Sequence, residues 1–195
     1  MKSKKLAAFV VALFACTLIG CGEAEPTQEP TIVEPEIVGL ANPWHDCSEE
    51  EANQICPRLF KLPDGATNAR WSIMDDLDPS SLPGEIVQVI FDLDGMEFTA
   101  RACVTGDEED ENLSGTYYDW TVTDDVHFSV WGDGAMTGKS YRYIGENEAV
   151  DLITWYDVEI GISYSLSTEA KDLDGFDIQA IAEQMYDESK YTLEE

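Results

Sequence analysis

Two apolar runs that flank Asp94-Gly95 constrain the fold of this chain more than any other feature. Apolar residues recur there at every second position: Val87, Val89, Phe91 and Leu93 before the pair, and Met96, Phe98, Ala100 and Ala102 after it. A period of two is typical of β-strands, and Asp-Gly between two such runs favours a two-residue hairpin turn. A slip of one residue would move every apolar side chain to the other face. The sequence therefore predicts an antiparallel hairpin with a fixed register.

Further strand patterns follow the hairpin along the chain. They comprise Tyr118, Trp120 and Val122, then a turn at Asp124-Asp125, then Val126, Phe128 and Val130, a break at Gly132-Asp133-Gly134, Tyr141 and Tyr143, and Val150, Leu152, Thr154 and Tyr156. The clearest pattern puts Val158, Ile160, Ile162, Tyr164 and Leu166 on one face, with Glu159, Gly161, Ser163, Ser165 and Ser167 on the other. One apolar and one solvated face is typical of antiparallel sheets.

Two helices are predicted around this sheet. Ser48 and Glu51 form a capping-box pattern that begins a short helix, and Pro57 ends it. Near the C-terminus, Asp174 is the predicted N-cap of an amphipathic helix whose apolar face is Ile178, Ile181, Ala182 and Met185. The predicted class is α+β: a mostly antiparallel sheet of about six to eight strands, with the short N-terminal helix and the C-terminal helix packed on one face.

The start of the chain has the pattern of a lipoprotein signal. Three lysines precede an apolar run, Leu6 to Leu18, and Leu18-Ile19-Gly20-Cys21 follows. A spanning helix needs roughly 20 apolar residues, so this run is too short for one. We expect cleavage of residues 1–20 and a diacylglycerol, with palmitate-type chains, on the thiol of Cys21. An ordinary secretory signal and a buried core helix are the alternatives.

Residues 21–41 are predicted to be a flexible acidic tether. They are rich in Pro, Glu and Thr, and such a segment cannot bury enough apolar surface to offset the entropy of ordering it. Residues 42–195 are predicted to form a single α+β domain. The expected location is the extracytoplasmic face of the cell membrane, with the lipid as anchor.

The chain is strongly acidic, with a formal net charge of −29. This charge argues against nucleic acid as a partner, because phosphates need Lys and Arg. It also argues against adsorption to anionic lipid headgroups. A solvated, self-repelling surface is the favoured interpretation. Weak attraction of divalent cations, or of a basic partner, is the alternative.

Three cysteines remain after Cys16 leaves with the leader and Cys21 is lipidated: Cys47, Cys56 and Cys103. Outside the cell they could form one disulfide, with one thiol left over. Cys47–Cys56 would close a short loop, and Cys56–Cys103 would join a helix to the sheet. Three reduced, buried thiols are the alternative. The spacing does not fit zinc, and Asp92–Gly95 and Asp172–Gly175 lack the ligands of a calcium loop. We expect no metal, and no cofactor beyond the diacylglycerol on Cys21.

The candidate ligand-binding residues are Trp131, Trp155 and His127. Both tryptophans fall on the less apolar faces of their predicted strands, so they could line a groove for a peptide or sugar. Core packing is the alternative for each of them. No Ser-His-Asp arrangement can be assigned from spacing, and Gly161–Ser165 is not a nucleophile elbow. We therefore assign no catalytic residue.

Several segments resemble a family of uncharacterised bacterial lipoproteins, domain of unknown function 4367. The segments are Asn42-Pro43-Trp44, Glu50-Glu51-Ala52, Leu62-Pro63, the Val87–Val104 hairpin and Ile162–Ser167. The resemblance spans roughly 42–187. It implies an exported α+β domain of the kind found on lipoproteins and on membrane proteins with regulatory N-terminal parts. It implies no established activity and no catalytic residues.

Three functions follow as hypotheses. The favoured one is a non-enzymatic binding or sensing module, tethered to the membrane, for a protein, peptide or glycan of unknown identity. The second is an extracytoplasmic hydrolase acting on glycans or peptides, because 40 acidic residues supply many carboxylate pairs of the glycosidase type. The third is a structural or regulatory partner of an envelope protein.

Overall fold

A computed structural model describes residues 42–74, 84–106, 109 and 113–191. The span Ala41–Glu195 forms one compact unit. The predicted leader (1–20), the lipid-attachment residue Cys21, the tether (21–41) and most of the acidic loop 107–112 lie outside the described residues. Within the described ranges, no helix has the length and apolar character needed to cross a membrane.

The domain is built on an eight-stranded sheet in which every neighbouring pair is antiparallel. The strands are β1 (Trp44–Cys47), β2 (Thr67–Met74), β3 (Ile86–Leu93), β4 (Met96–Val104), β5 (Val122–His127), β6 (Thr137–Ile144), β7 (Ala149–Asp157) and β8 (Ile162–Ala170). Their spatial order is β1-β2-β3-β4-β8-β7-β6-β5. The α+β class and the antiparallel sheet are thus confirmed.

The strand order divides the sheet into two halves with mirrored connectivity. Each half begins with an edge strand, continues with a helical segment and ends in a three-stranded meander. The helical segments are α1 (Glu49–Ile55) in the first half and a short 3-10 segment (Trp131–Gly134) in the second. The halves meet where β4 pairs with β8, with Ala100 opposite Leu166.

The β3–β4 hairpin has the register that the sequence predicts. Leu93 pairs with Met96, and the two residues between them have φ angles of 53° (Asp94) and 81° (Gly95). Two consecutive positive φ angles define the turn whose twist matches that of the flanking strands.

The registers place two different rows of side chains on the two faces of the sheet. One row, on what we call the core face, contains Val89, Ala100, Leu166 and Ile153, all buried. The opposite row, on what we call the polar face, contains Gln88, Arg101, Ser165 and Thr154. Ser165 is only 2% exposed and Thr154 5%, so the face predicted to be solvated is covered here too.

Each helix places one buried alanine in the main apolar cluster. Ser48 and Glu51 make the reciprocal capping bonds predicted for α1, and Ala52 is 0% exposed. The C-terminal helix, α2 (Ile178–Gln184), begins later than expected, because Asp177 rather than Asp174 accepts the capping bond from Ala180 N. Ala182 is also 0% exposed, and α2 contacts β7 and β8.

Four strand predictions need correction. The strand expected through Val126, Phe128 and Val130 ends early, because β5 stops at His127 and leaves Phe128 and Val130 outside it. β5 runs straight through Asp124-Asp125, which pair with Ser140 and Lys139 instead of forming a turn. As an edge strand, β5 can carry both acids in solvent. β8 begins only at Ile162, because Val158–Gly161 forms a turn. Tyr118 and Trp120 belong to no strand, although Val122 does.

Gly161 explains where β8 begins. Its φ of 67° places it in the left-handed region, its N–H donates to Asp157 O, and a Cβ there would lie 2.5 Å from Gly106 O. A positive φ favours glycine, so the chain turns here although the alternation of apolar residues continues through it. β1 and β2 have no counterpart among the strands expected from the sequence.

Candidate functional site

Residues 113–121, in the connection from β4 to β5, cross the polar face of the sheet. We call them the crossing segment. At its start, Arg101 Nη1 donates to the carbonyl oxygens of Leu113 (3.1 Å) and Ser114 (2.6 Å). At its end, Thr121 N donates to Arg142 O at 2.8 Å. Since β4 lies at the centre of the sheet and β6 near its edge, the segment passes over β8 and β7.

Arg101 is held on several sides. Its Nε donates to Gln88 Oε1 at 2.9 Å, and Gln88 in turn donates to Ser72 Oγ at 3.2 Å. Its guanidinium carbon lies 4.9 Å from the centre of the Trp44 ring, within the range of a cation–π contact. Burial lowers the pKa of Arg101 from its ordinary value, and an arginine side chain is protonated at neutral pH.

Gly115 lets the crossing segment approach this guanidinium. Its φ is 62°, and a Cβ at this position would lie 2.7 Å from Arg101 Nη1. The backbone conformation therefore favours glycine, and a larger residue would displace the Arg101 guanidinium from its contacts.

Aromatic contacts hold the second half of the crossing segment on the sheet. Tyr118 lies 4.7 Å from Tyr143 between ring centres, and Trp120 lies 5.4 Å from Tyr141. Tyr118 and Trp120 also contact each other at 5.6 Å. Such tilted pairs contribute about 0.5–1.5 kcal/mol each beyond the area that they bury.

The polar face and the crossing segment enclose a groove of about 830 Å³. Its floor is formed by residues of three adjacent strands: Glu97 and Thr99 of β4, Ser167 and Glu169 of β8, and Val150 of β7. One wall is the crossing segment from Gly115 to Tyr118, and the rest of the rim is formed by Asn147, Glu148, Ala170 and Lys171. We call this the acidic groove. Its volume lies in the range of ligand-binding clefts.

The charged groups of the acidic groove differ in their partners. Glu97 pairs with Arg70 at 2.9 Å, in an exposed ion pair. Glu148 and Glu169 have no hydrogen-bond or ion-pair partner for their carboxylates among the described residues. Burial raises the pKa of the Tyr118 hydroxyl, and the nearby carboxylates of Glu169 and Glu148 raise this pKa further. The groove therefore presents uncompensated negative charge beside aromatic rings.

A second recess adjoins the acidic groove. It has a volume of about 610 Å³, shares Glu148 and Lys171 with the groove, and adds Glu146, Asp172 and Asp174. The negative surface thus continues around the end of β7.

The predicted ligand-binding residues are not brought together on one surface. Trp131 and Trp155 are both 0% exposed, and their ring centres lie 5.1 Å apart in the core. His127 is exposed on the edge strand β5, and its carbonyl oxygen accepts a bond from Gln179. None of the three lines the acidic groove.

The burial of the tryptophans has a physical cause. Trp131 Nε1 donates to Ala182 O at 2.9 Å, so its polar atom is satisfied inside the core. Trp155 lies on the core face between Tyr164 and Gly138, where a Cβ at Gly138 would lie 2.2 Å from Thr154 O. Alternation does not reveal this face, because eight of the nine residues of β7 are buried.

The three thiols form no disulfide with one another in the described structure. Cys56 belongs to the main core, whereas Cys103 packs with Ile86 and Leu113 in a separate cluster on the polar side. Burial raises the pKa of the Cys56 thiol to about 12, and burial together with Glu51 raises that of Cys47. Both thiols are therefore weak nucleophiles at neutral pH.

No group of three or more His, Cys, Asp or Glu residues suited to a metal ion occurs within the described ranges. Comparison with protein-family models, with curated proteins and with solved structures gives no significant match for the chain. The resemblance to the lipoprotein family therefore stays a prediction.

Sequence reasoning missed the acidic groove and its residues Tyr117, Tyr118, Glu148 and Glu169. The aromatic alternation before Val122 is a signal of this wall, but alternation by itself predicts a strand. In the structure these rings pack on Tyr141 and Tyr143 from above the sheet. The β7–β8 pairing, with Val150 opposite Glu169, brings the two glutamates together. The crossing segment then places Tyr118 beside both of them.

Proposed function

We propose that this protein is a membrane-anchored extracytoplasmic lipoprotein whose domain is a non-enzymatic binding or sensing module. In this proposal the lipid on Cys21 holds the domain at the membrane, and residues 21–41 separate the two. The proposal also assigns both helices to the core face. The crossing segment then makes the polar face the one that receives a ligand.

The acidic groove is the observation on which the binding function rests. A crossing segment held at one end by Arg101 and at the other by packed aromatic rings gives a wall that exists before any ligand arrives. Preorganisation of this kind reduces the entropy that binding would otherwise cost. Tyr117 is 72% exposed and lines the groove, so its ring offers a contact surface at little cost in desolvation.

The anchor is tested by mass spectrometry of the native protein. We expect the first residue to be Cys21, with the added mass of a diacylglyceryl group, and a Cys21→Ser variant to be released from the membrane fraction. An unmodified N-terminus, or intact protein in the cytosol, would contradict the proposed anchor.

The binding function is tested with arrays of glycans and peptides. We expect the wild type to bind at least one ligand without converting it chemically. A Tyr117→Ala variant should no longer bind that ligand. The control is Tyr141→Phe. This variant keeps the ring that packs against Trp120, and residue 141 does not line the groove. If no ligand depends on Tyr117, the groove is not the binding site.

An extracytoplasmic hydrolase is the second candidate. Two carboxylates that line the floor, Glu97 and Glu169, come from the adjacent strands β4 and β8, and glycosidases act through two carboxylates that flank the scissile bond. In this case the array would show products rather than retained ligand, and Glu169→Gln would abolish turnover while leaving the fold intact.

A further inference from the structure

We propose that the acidic groove binds a short, positively charged peptide segment, with lysine or arginine side chains against Tyr117, Glu148 and Glu169. This inference rests on the proposed binding function and names the chemical class of its ligand.

The charge balance of the groove favours a cation. The carboxylates of Glu148 and Glu169 are uncompensated, and Glu97 lies beside them. Of the described lining residues, Lys171 is the cationic one. The recess that continues from the groove adds Glu146, Asp172 and Asp174, and its Arg142 is already paired with Asp151. Carboxylates therefore outnumber unpaired cations along this surface, which disfavours an anionic ligand and favours a cationic one.

The aromatic wall suits the same ligand. A tyrosine ring attracts a lysine or arginine group placed over its face. The Tyr117 ring packs against no other aromatic ring among the described residues, and it borders the same space as Glu169. A basic side chain can therefore contact a ring and a carboxylate at once, a combination that an uncharged sugar uses less well.

The sheet beneath the groove determines how a peptide can be recognised. β4 and β8 each pair with a strand on both sides, so neither offers a free edge for an added strand. A peptide must therefore be held through its side chains. The groove and the adjoining recess share Glu148 and Lys171, so a peptide can continue from one into the other.

The whole domain supports the encounter. A formal charge of −29 creates a negative potential around the protein and raises the association rate of basic ligands. Long-range attraction alone does not select a site, so the test must separate the groove from the rest of the acidic surface.

The experiment measures fluorescence anisotropy of labelled hexalysine with the full lipidated chain in nanodiscs of neutral phosphatidylcholine. Labelled hexaglutamate and labelled cellohexaose are the comparison probes. We expect hexalysine to bind, with affinity that falls as salt rises, and the other two probes to bind far more weakly.

Matched variants then locate the site. Glu148→Gln with Glu169→Gln should weaken hexalysine binding by about tenfold, since each exposed ionic contact contributes modestly. Glu85→Gln with Glu159→Gln removes the same charge outside the groove and should change binding by less than about twofold. Lys171→Gln should strengthen binding. Tyr117→Ala should weaken it by about threefold, while Tyr117→Phe, which keeps the ring, should not.

Three outcomes would overturn the inference. Equal losses for the two glutamine pairs would mean that hexalysine binds the acidic surface in general. Cellohexaose binding that requires Tyr117, with hexalysine insensitive to every groove variant, would show a glycan site and leave the proposed binding function intact. Insensitivity of both probes to the groove variants would remove the peptide proposal, and the ligand arrays would then decide separately whether the groove binds anything.

Discussion

Arg101 Nη1 donates to Ser114 O at 2.6 Å and so joins the central strand β4 to the segment that forms the wall of the acidic groove. The same guanidinium contacts Gln88 and Trp44. One side chain therefore connects the floor of the groove to its wall, and the stability of the fold and the shape of the groove depend on it together.

We predict that Arg101→Ala lowers the free energy of unfolding by about 2 kcal/mol, because it leaves two carbonyls and Gln88 without their charged donor. Arg101→Lys should recover only part of this loss, since an ammonium group cannot donate in a fork. Urea unfolding measures both.

The control for Arg101 is Arg70→Ala, which removes an exposed guanidinium from the same face. Its ion pair with Glu97 should contribute no more than about 1 kcal/mol. Equal losses for the two alanine variants would contradict the role assigned to Arg101.

Gly115→Ala should be more costly than a glycine substitution at a similar backbone angle elsewhere. Gly175 has a φ of 72° and open space where a Cβ would lie, whereas Gly115 also faces Arg101. We expect Gly175→Ala to cost about 1 kcal/mol from strain alone, and Gly115→Ala about 2 kcal/mol or more. Thermal unfolding compares them, and a smaller cost at Gly115 would show that the crossing segment moves aside freely.

Arg142 and Asp151 form an ion pair in which the carboxylate is buried. Two bonds of 2.6 Å join them, the Asp151 side chain is 2% exposed, and Arg142 also donates to Phe176 O. Arg142→Met should cost about 3 kcal/mol, because it leaves a buried carboxylate unpaired.

A double variant tests the Arg142 prediction. Arg142→Met combined with Asp151→Leu should be clearly more stable than the sum of the two single changes implies. Additive losses in urea unfolding would mean that the pair does not interact across β6 and β7.

The stability of the domain should fall at alkaline pH. Burial raises the pKa of the Cys56 thiol from 9.0 to about 12. The folded state therefore keeps this proton while the unfolded chain loses it, so the stabilisation is complete below pH 9 and is lost as pH rises to about 12. One such proton changes the free energy of unfolding by up to about 1.4 kcal/mol per pH unit.

In a Cys56→Ala variant, the free energy of unfolding should fall less steeply as the pH rises above 9. This difference in slope does not depend on the stability of the variant at pH 8. Tyr164 contributes in the same direction, because burial also raises its pKa, so a decline remains. Urea titrations at pH 8, 9.5 and 10.5 measure the slopes. Identical slopes for the variant and the wild type would contradict the burial of this thiol.

The three thiols should react with iodoacetamide at very different rates in the folded protein. Cys47 is half-buried, whereas Cys56 is 1% and Cys103 0% exposed. At pH 8 we expect Cys47 to be alkylated first and the others only in denaturant. Peptide mass spectrometry gives the order. A disulfide between any two of the three in non-reduced protein would contradict it.

Much of the fold follows from local patterns in the sequence. The β3–β4 hairpin was predictable because Asp94-Gly95 and the alternation around it act on neighbouring residues. The capping box of α1 was predictable for the same reason. The β7–β8 turn was not located, because a positive φ at Gly161 interrupts a pattern that remains alternating in sequence.

The candidate site was not predictable in the same way. Trp131 and Trp155 suggested a groove because their neighbours are polar, yet their nearest partners are other rings of the core. The acidic groove depends on the crossing segment lying over β8 and β7. The position of that segment is set by Arg101, whose contacts join distant parts of the chain.

The mirrored strand order has a consequence for how the molecule forms. Each half can assemble from segments that are close in sequence. Ala100 of β4 can pair with Leu166 of β8 only after the second half of the chain has been synthesised. Pairings between distant segments slow folding, so we expect the closing of this central seam to be the late step. Until β4 and β8 pair, each half exposes the edge of an unpaired strand. Repulsion between the negative charges of different molecules would then oppose association of these edges.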